Sequence, residues 1–144
     1  MYRDSAFGRR VLKDMEMQTS ILVEENRALE RELEEEERTL TNQRGTLPAA
    51  EFRVLADAFD ARVQSIRAER EARSRQISAQ LEQNRERFLS AAGPVLEAIM
   101  RDAGAAVVLE RRSVFISANS IDITELAVTK IDAILGDGSD NAAD

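Results

Sequence analysis

The sequence predicts a mainly α protein with a small β part, a long antiparallel coiled-coil hairpin arm on a small α+β body. Three observations predict it. Charged residues make up 33% of the 144 and aromatic residues only 4%, too few large apolar side chains for one thick core. Residues 5–92 are rich in Ala, Glu, Arg, Leu and Gln with two glycines and one proline, the composition of long helices. The vocabulary then changes near the C-terminus, where "AAVVLERRSVFIS" is rich in Val, Ile and Phe and "DITELAVTKIDAILGDG" has capping residues at both ends.

From Leu12 a heptad runs through Met15, Thr19, Leu22, Asn26, Leu29, Leu33, Glu36 and Leu40, alternating steps of three and four. Six of the nine are apolar, so a seam exists, and the polar members weaken pairing while fixing its register. In "QRGTLPAAEF", Gly45 ends one helix and Pro48 starts the next, each at the helix terminus its backbone chemistry suits. The expected arm covers residues 5–92, with helices at about 5–44 and 48–92 and a tip near 45–48. A helix of about 40 residues reaches roughly 60 Å. In the second helix Leu55, Ile66, Ile77, Phe88 and Ile99 recur every eleven residues, with Phe52, Phe59, Val63 and Leu81 nearby, a rhythm that makes a nearly straight seam.

Between Glu24 and Glu37 eight glutamates face two arginines, and from Arg62 to Arg75 five arginines face two glutamates. A turn near Gly45 lays these stretches side by side, so opposite charge helps set the register at about 0–1 kcal/mol per exposed pair. The tip carries Leu47, Phe52, Leu55 and Phe59, read as hairpin packing or as an apolar surface offered to a partner.

Residues 93–136 are expected to form the body. Pro94 is expected to interrupt or kink the second helix and leave a short helix behind it. A β-hairpin is expected over about 105–117, and a C-terminal helix over about 122–135, with Asp122 as N-cap, Glu125 three residues on and Gly136 as the stop. The small acidic tail 137–144 is expected to be disordered. Two strands and a helix are marginal alone. The body candidates Val107, Leu109, Val114, Ile116, Ile123 and Leu126 would therefore have to be completed by other copies or by a preceding strand.

The inventory excludes much chemistry. There is no His and no Cys, which removes histidine general bases, His- or Cys-ligated zinc, cysteine nucleophiles and disulfides. No glycine is followed by the Lys and Ser or Thr of a phosphate-binding loop, and no cofactor is implied. A net charge of -7 weighs against nucleic-acid binding. No run approaches a membrane span and the start has no apolar leader region. Neighbouring glutamates such as Glu34–Glu37 diverge by about 100° on a helix, so they do not converge into an acid–base pair.

The ordering of these parts resembles the Skp/OmpH family of periplasmic chaperones. The stretches that carry the resemblance are "SAFGRRVLKDME" and "VVLERRSVFISANSIDITELAVTKID". It implies a non-enzymatic, ATP-independent holdase in the periplasm: a homotrimer whose arms enclose unfolded outer membrane β-barrel proteins, with no nucleic-acid partner and no stable membrane insertion. Family members carry a signal peptide and a first strand ahead of the first helix. This sequence begins where that strand would be ending, so Met1 is expected to be an internal methionine or the chain to be shortened. The best-known members are basic and this chain is acidic, so no lipopolysaccharide or membrane-surface site is carried over. The competing reading is a cytoplasmic coiled-coil scaffold or adaptor whose seams bind a partner helix.

Overall fold

The computed structural model describes residues 1–139. Three α-helices dominate it: α1 (Ala6–Gln43), α2 (Ala49–Ala103) and α3 (Thr124–Leu135), with short 3-10 turns at Tyr2–Asp4, Arg111–Ser113 and Asn119–Ile121. The chain divides into two compact units, one of Glu16–Ala79 and one of Met1–Met15 with Gln80–Asp144.

In the unit Glu16–Ala79, α1 and α2 are joined by the turn Arg44–Pro48. The Gln43 carbonyl accepts from the N–H groups of Thr46 and Leu47, both at 3.0 Å, so the last acceptors of α1 are met inside the turn. On α1 the half-buried residues include Leu22, Asn26, Leu29, Leu33, Glu36 and Leu40, while Thr19 is exposed. The heptad read from the sequence is therefore the face that packs. On α2 the inward residues are Phe52, Ala56, Phe59, Val63, Ile66, Arg70 and Ile77. Their spacing corrects the eleven-residue reading at its start: Leu55 is 41% exposed, and inward positions advance by three and four. An eleven-residue step is three helical turns, so it coincides with the heptad only over short stretches.

In the other unit the first turns of α1, the C-terminal half of α2 and α3 share one core of Phe7, Val11, Phe88, Ala92, Val95, Ile99, Ala127 and Ile131, with Tyr2, Met15, Leu96, Ile123 and Leu135 against it. Ser5 caps α1: its hydroxyl donates to the Tyr2 carbonyl at 2.7 Å and accepts from the Gly8 N–H at 3.0 Å. Gly8 is required there, since a Cβ would lie 1.8 Å from the Tyr2 carbonyl oxygen. A second cap comes from far along the chain, where Asp132 Oδ1 accepts from the Ala6 N–H at 2.9 Å.

Two further expectations are corrected here. α2 runs unbroken through Pro94. Ser90, whose carbonyl loses its helical partner, is exposed, as is Pro94, so water can take the freed acceptor, while Ala92, Val95 and Ile99 on the other face hold the helix in the core. The hairpin expected over 105–117 is not formed either: among the described residues there is no strand, and that segment is irregular chain around the Arg111–Ser113 turn. Its backbone has no neighbour to pair with, and two short strands without a third are marginal in water.

The turn after α3 is packed. Gly136 ends the helix with φ 56°, and its N–H donates to the Asp132 carbonyl at 2.9 Å. Gly138 is buried against the Phe7 ring, and Arg10 Nε donates to the Asp137 carbonyl. Residues 137–139 of the expected tail thus belong to this unit, and residues 140–144 lie outside the described residues.

Candidate interaction surfaces

The hairpin unit is thin. Ile66, 8% exposed, is its one buried apolar residue among those described, so most of both helices faces solvent. Across the seam Arg62 reaches Glu32 at 3.1 Å and also Glu36, and Arg70 reaches Glu30 at 3.3 Å. Opposite charges on the two helices do meet at the register the sequence suggested. These carboxylates are exposed or nearly so, so each pair contributes about 0–1 kcal/mol. Arg70 is the less ordinary group, because it occupies a seam position. One guanidinium nitrogen donates to the Asn26 carbonyl at 2.7 Å, while its Nε is buried with no partner among the described residues. Asn26 and Arg70 thus form a polar layer in an otherwise apolar seam.

At the tip, Leu47, Phe52 and Phe59 are half-buried and close the hairpin, whereas Leu55 is exposed. Val54, 67% exposed, is an apolar tip residue that the sequence reading missed. The eleven-residue line gave no signal for it; the heptad that leaves Val54 outside is set by the packed positions Phe52, Ala56, Phe59 and Val63. Met17, Ile21 and Val23 on α1 are exposed as well.

In the other unit the predicted body residues separate into two sets. Ile123 packs against the core and Val114 is half-buried, while Val107, Leu109, Ile116 and Leu126 are exposed. The structure does not gather these six into one cluster. Sequence reasoning missed Phe115, 99% exposed beside Ile116 at 82%, together with Ile121 and Ile134. A strand reading gives alternate residues to alternate faces, so it assigned Phe115 to the opposite side from Ile116; without strand pairing both stand in water. Besides local turn hydrogen bonds such as that from the Ser113 N–H to the Glu110 carbonyl at 2.9 Å, an ion pair ties this segment to the start of α3. Arg111 pairs with Asp122 at 3.0 Å, and Asp122 Oδ1 accepts from the Thr124 N–H at 2.9 Å. The N-cap position of α3 is thus Ile123 and not the expected Asp122, which sits one residue earlier and satisfies the Thr124 N–H from there. Hydrogen bonds from Thr124, with a smaller contribution from the Arg111 charge, hold its carboxyl below the usual range.

The aromatic cluster in the core of this unit is dense. Tyr2 and Phe88 meet edge to face with centroids 5.0 Å apart, and the guanidinium groups of Arg10 and Arg87 lie 5.6 and 5.5 Å from the Phe7 ring centre. Burial pushes the Tyr2 phenol up. No helix among the described residues is long and apolar enough to cross a membrane.

These features define a class: a helical-hairpin protein with a small apolar core in one unit and exposed apolar side chains at the hairpin tip and in the segment 107–121. The chain belongs to the OmpH-like outer membrane protein family, whose model matches residues 1–131. A solved structure that it resembles is a proposed outer membrane chaperone (OmpH-like) from Caulobacter crescentus CB15. The TM-score is 0.82 at 17% identity, over 92% of this chain and 79% of that one. At that identity the likeness is one of fold. No curated protein matches the chain.

Proposed function

We propose that this protein is an ATP-independent holdase chaperone that binds unfolded outer membrane β-barrel proteins in the periplasm and keeps them from aggregating between the helical arms of a homotrimer. Membership of the OmpH-like family supports the chaperone reading, and the fold shared with the Caulobacter crescentus protein fits it. The observation that carries the assembly is the segment from Val107 to Ile121, which forms no strand and whose Val107, Leu109, Phe115, Ile116 and Ile121 side chains stand in water in a single chain. In the trimer this segment pairs with its counterparts as the short strands of a shared body, burying Val107, Leu109 and Ile116. The paired helices Glu16–Ala79 are then the arm.

Client contact falls to the exposed apolar residues of the arm, Leu55 and Val54 first, with Leu47, Phe52 and Phe59 becoming available when the tip loosens. Many weak sites held together raise the effective concentration without any tight one, which suits a partner with no fixed shape. The experiment is turbidity after diluting a urea-unfolded β-barrel protein from an outer membrane into buffer with and without the chaperone. Suppression that an unrelated coiled coil of equal mass does not give is the expected result. Equal turbidity in both would overturn the reading.

A further inference from the structure

The four methionines differ sharply in environment. Met15 packs against the buried core with Met1, and Met100 is half-buried. Met17, two residues from Met15, is 58% exposed, and the neighbour one turn on, Ile21, is exposed too. Thioether oxidation follows access to the sulfur, and a sulfoxide is polar enough to disrupt a packed core. Two positions on one helix, two residues apart, therefore carry one methionine whose oxidation costs packing and one whose oxidation costs none.

We propose that Met17 is a reversible oxidation site, taking the first oxygen from a peroxide-class oxidant while the fold and the packed Met15 stay intact. With hydrogen peroxide, the Met17 sulfur attacks one peroxide oxygen, the O–O bond breaks, an S–O bond forms and water leaves. Sulfur loses two electrons and the peroxide gains them. The product is a methionine sulfoxide on the solvent face of α1, in reach of sulfoxide reductases. This assignment does not depend on the chaperone reading, because it rests on exposure and packing alone.

The test is a brief, limiting dose of hydrogen peroxide on the full chain, followed by peptide mass spectrometry, circular dichroism and thermal melting. Trypsin leaves Met15 and Met17 together in Asp14–Arg27, so fragment ions compare the two sulfurs within one molecule. The expected result is a gain of one oxygen on Met17, with helicity and melting unchanged, and loss of most of that uptake in Met17→Leu. Uptake first at Met1, Met15 or Met100, or a lower melting temperature in chains oxidised at Met17 alone, would overturn the proposal.

Discussion

Gly138 gives a sharp test of the core around Phe7. It has φ 75°, and a Cβ built there would lie 2.6 Å from two Phe7 ring carbons and 3.3 Å from an Arg10 nitrogen. The ring cannot retreat cheaply, since Phe7 is fully buried among Tyr2, Phe88, Arg10 and Arg87. In Gly138→Ala the left-handed backbone costs about 1–2 kcal/mol and the forced repacking about 1–3 kcal/mol. Their sum, on the order of 2–5 kcal/mol, is a large part of the roughly 5–15 kcal/mol that holds a protein folded. Thermal unfolding followed by circular dichroism should show a melting temperature lower by on the order of 10 °C. Two other glycines fix the sign. Gly45 and Gly93 have nothing within 4 Å of a built Cβ; Gly45→Ala should change little, and Gly93→Ala, inside α2, should stabilise by about 0.5–1 kcal/mol. If Gly138→Ala melts with the wild type, the turn after α3 is not packed on Phe7 and the reasoning fails.

Ile66→Ala should remove the one well-buried side chain of the hairpin unit at a cost of about 2–5 kcal/mol; hydrogen exchange should quicken across Glu16–Ala79, and unchanged protection there would contradict the seam described. Asp122, whose carboxyl is depressed by its Thr124 hydrogen bonds, stabilises the start of α3 above the ordinary aspartate range. That contribution is lost as pH falls through the lowered folded value, so Asp122→Ala should flatten the acid limb of a stability–pH curve. Ile116→Ser, at a side chain already 82% exposed, should leave the helices of a single chain intact yet weaken self-association. Analytical ultracentrifugation would read this, and an unaltered mass distribution would remove Ile116 from the proposed trimer contact.

Long helices and their turn were legible because the signals were local. Gly45 and Pro48 mark the turn, and the leucines of α1 repeat at a period that only a helix uses. What was not legible depended on partners distant in sequence. Pro94 reads as a break, but Val95 and Ile99 keep its helix in the core by packing with residues far along the chain. Asp132 caps Ala6 across 126 positions, a contact no local pattern announces. The strand reading of 105–117 was sound as propensity and lacked the neighbouring strands that turn propensity into structure. Among candidate site residues, periodicity separated the inward Phe52 and Phe59 from the rest only once the heptad of α2 was set by the structure; the eleven-residue line had placed Leu55 inside and left Val54 unnoticed.

The central claim is that several copies hold an unfolded client in solution. Its most direct test is light-scattering mass after size exclusion, on the protein alone and after diluting a urea-unfolded outer membrane β-barrel protein into it. The account predicts a trimer that becomes a discrete soluble complex heavier by the client. A stable trimer from which the client precipitates would contradict the holdase function, and a monomer at all concentrations would contradict the assembly that function requires.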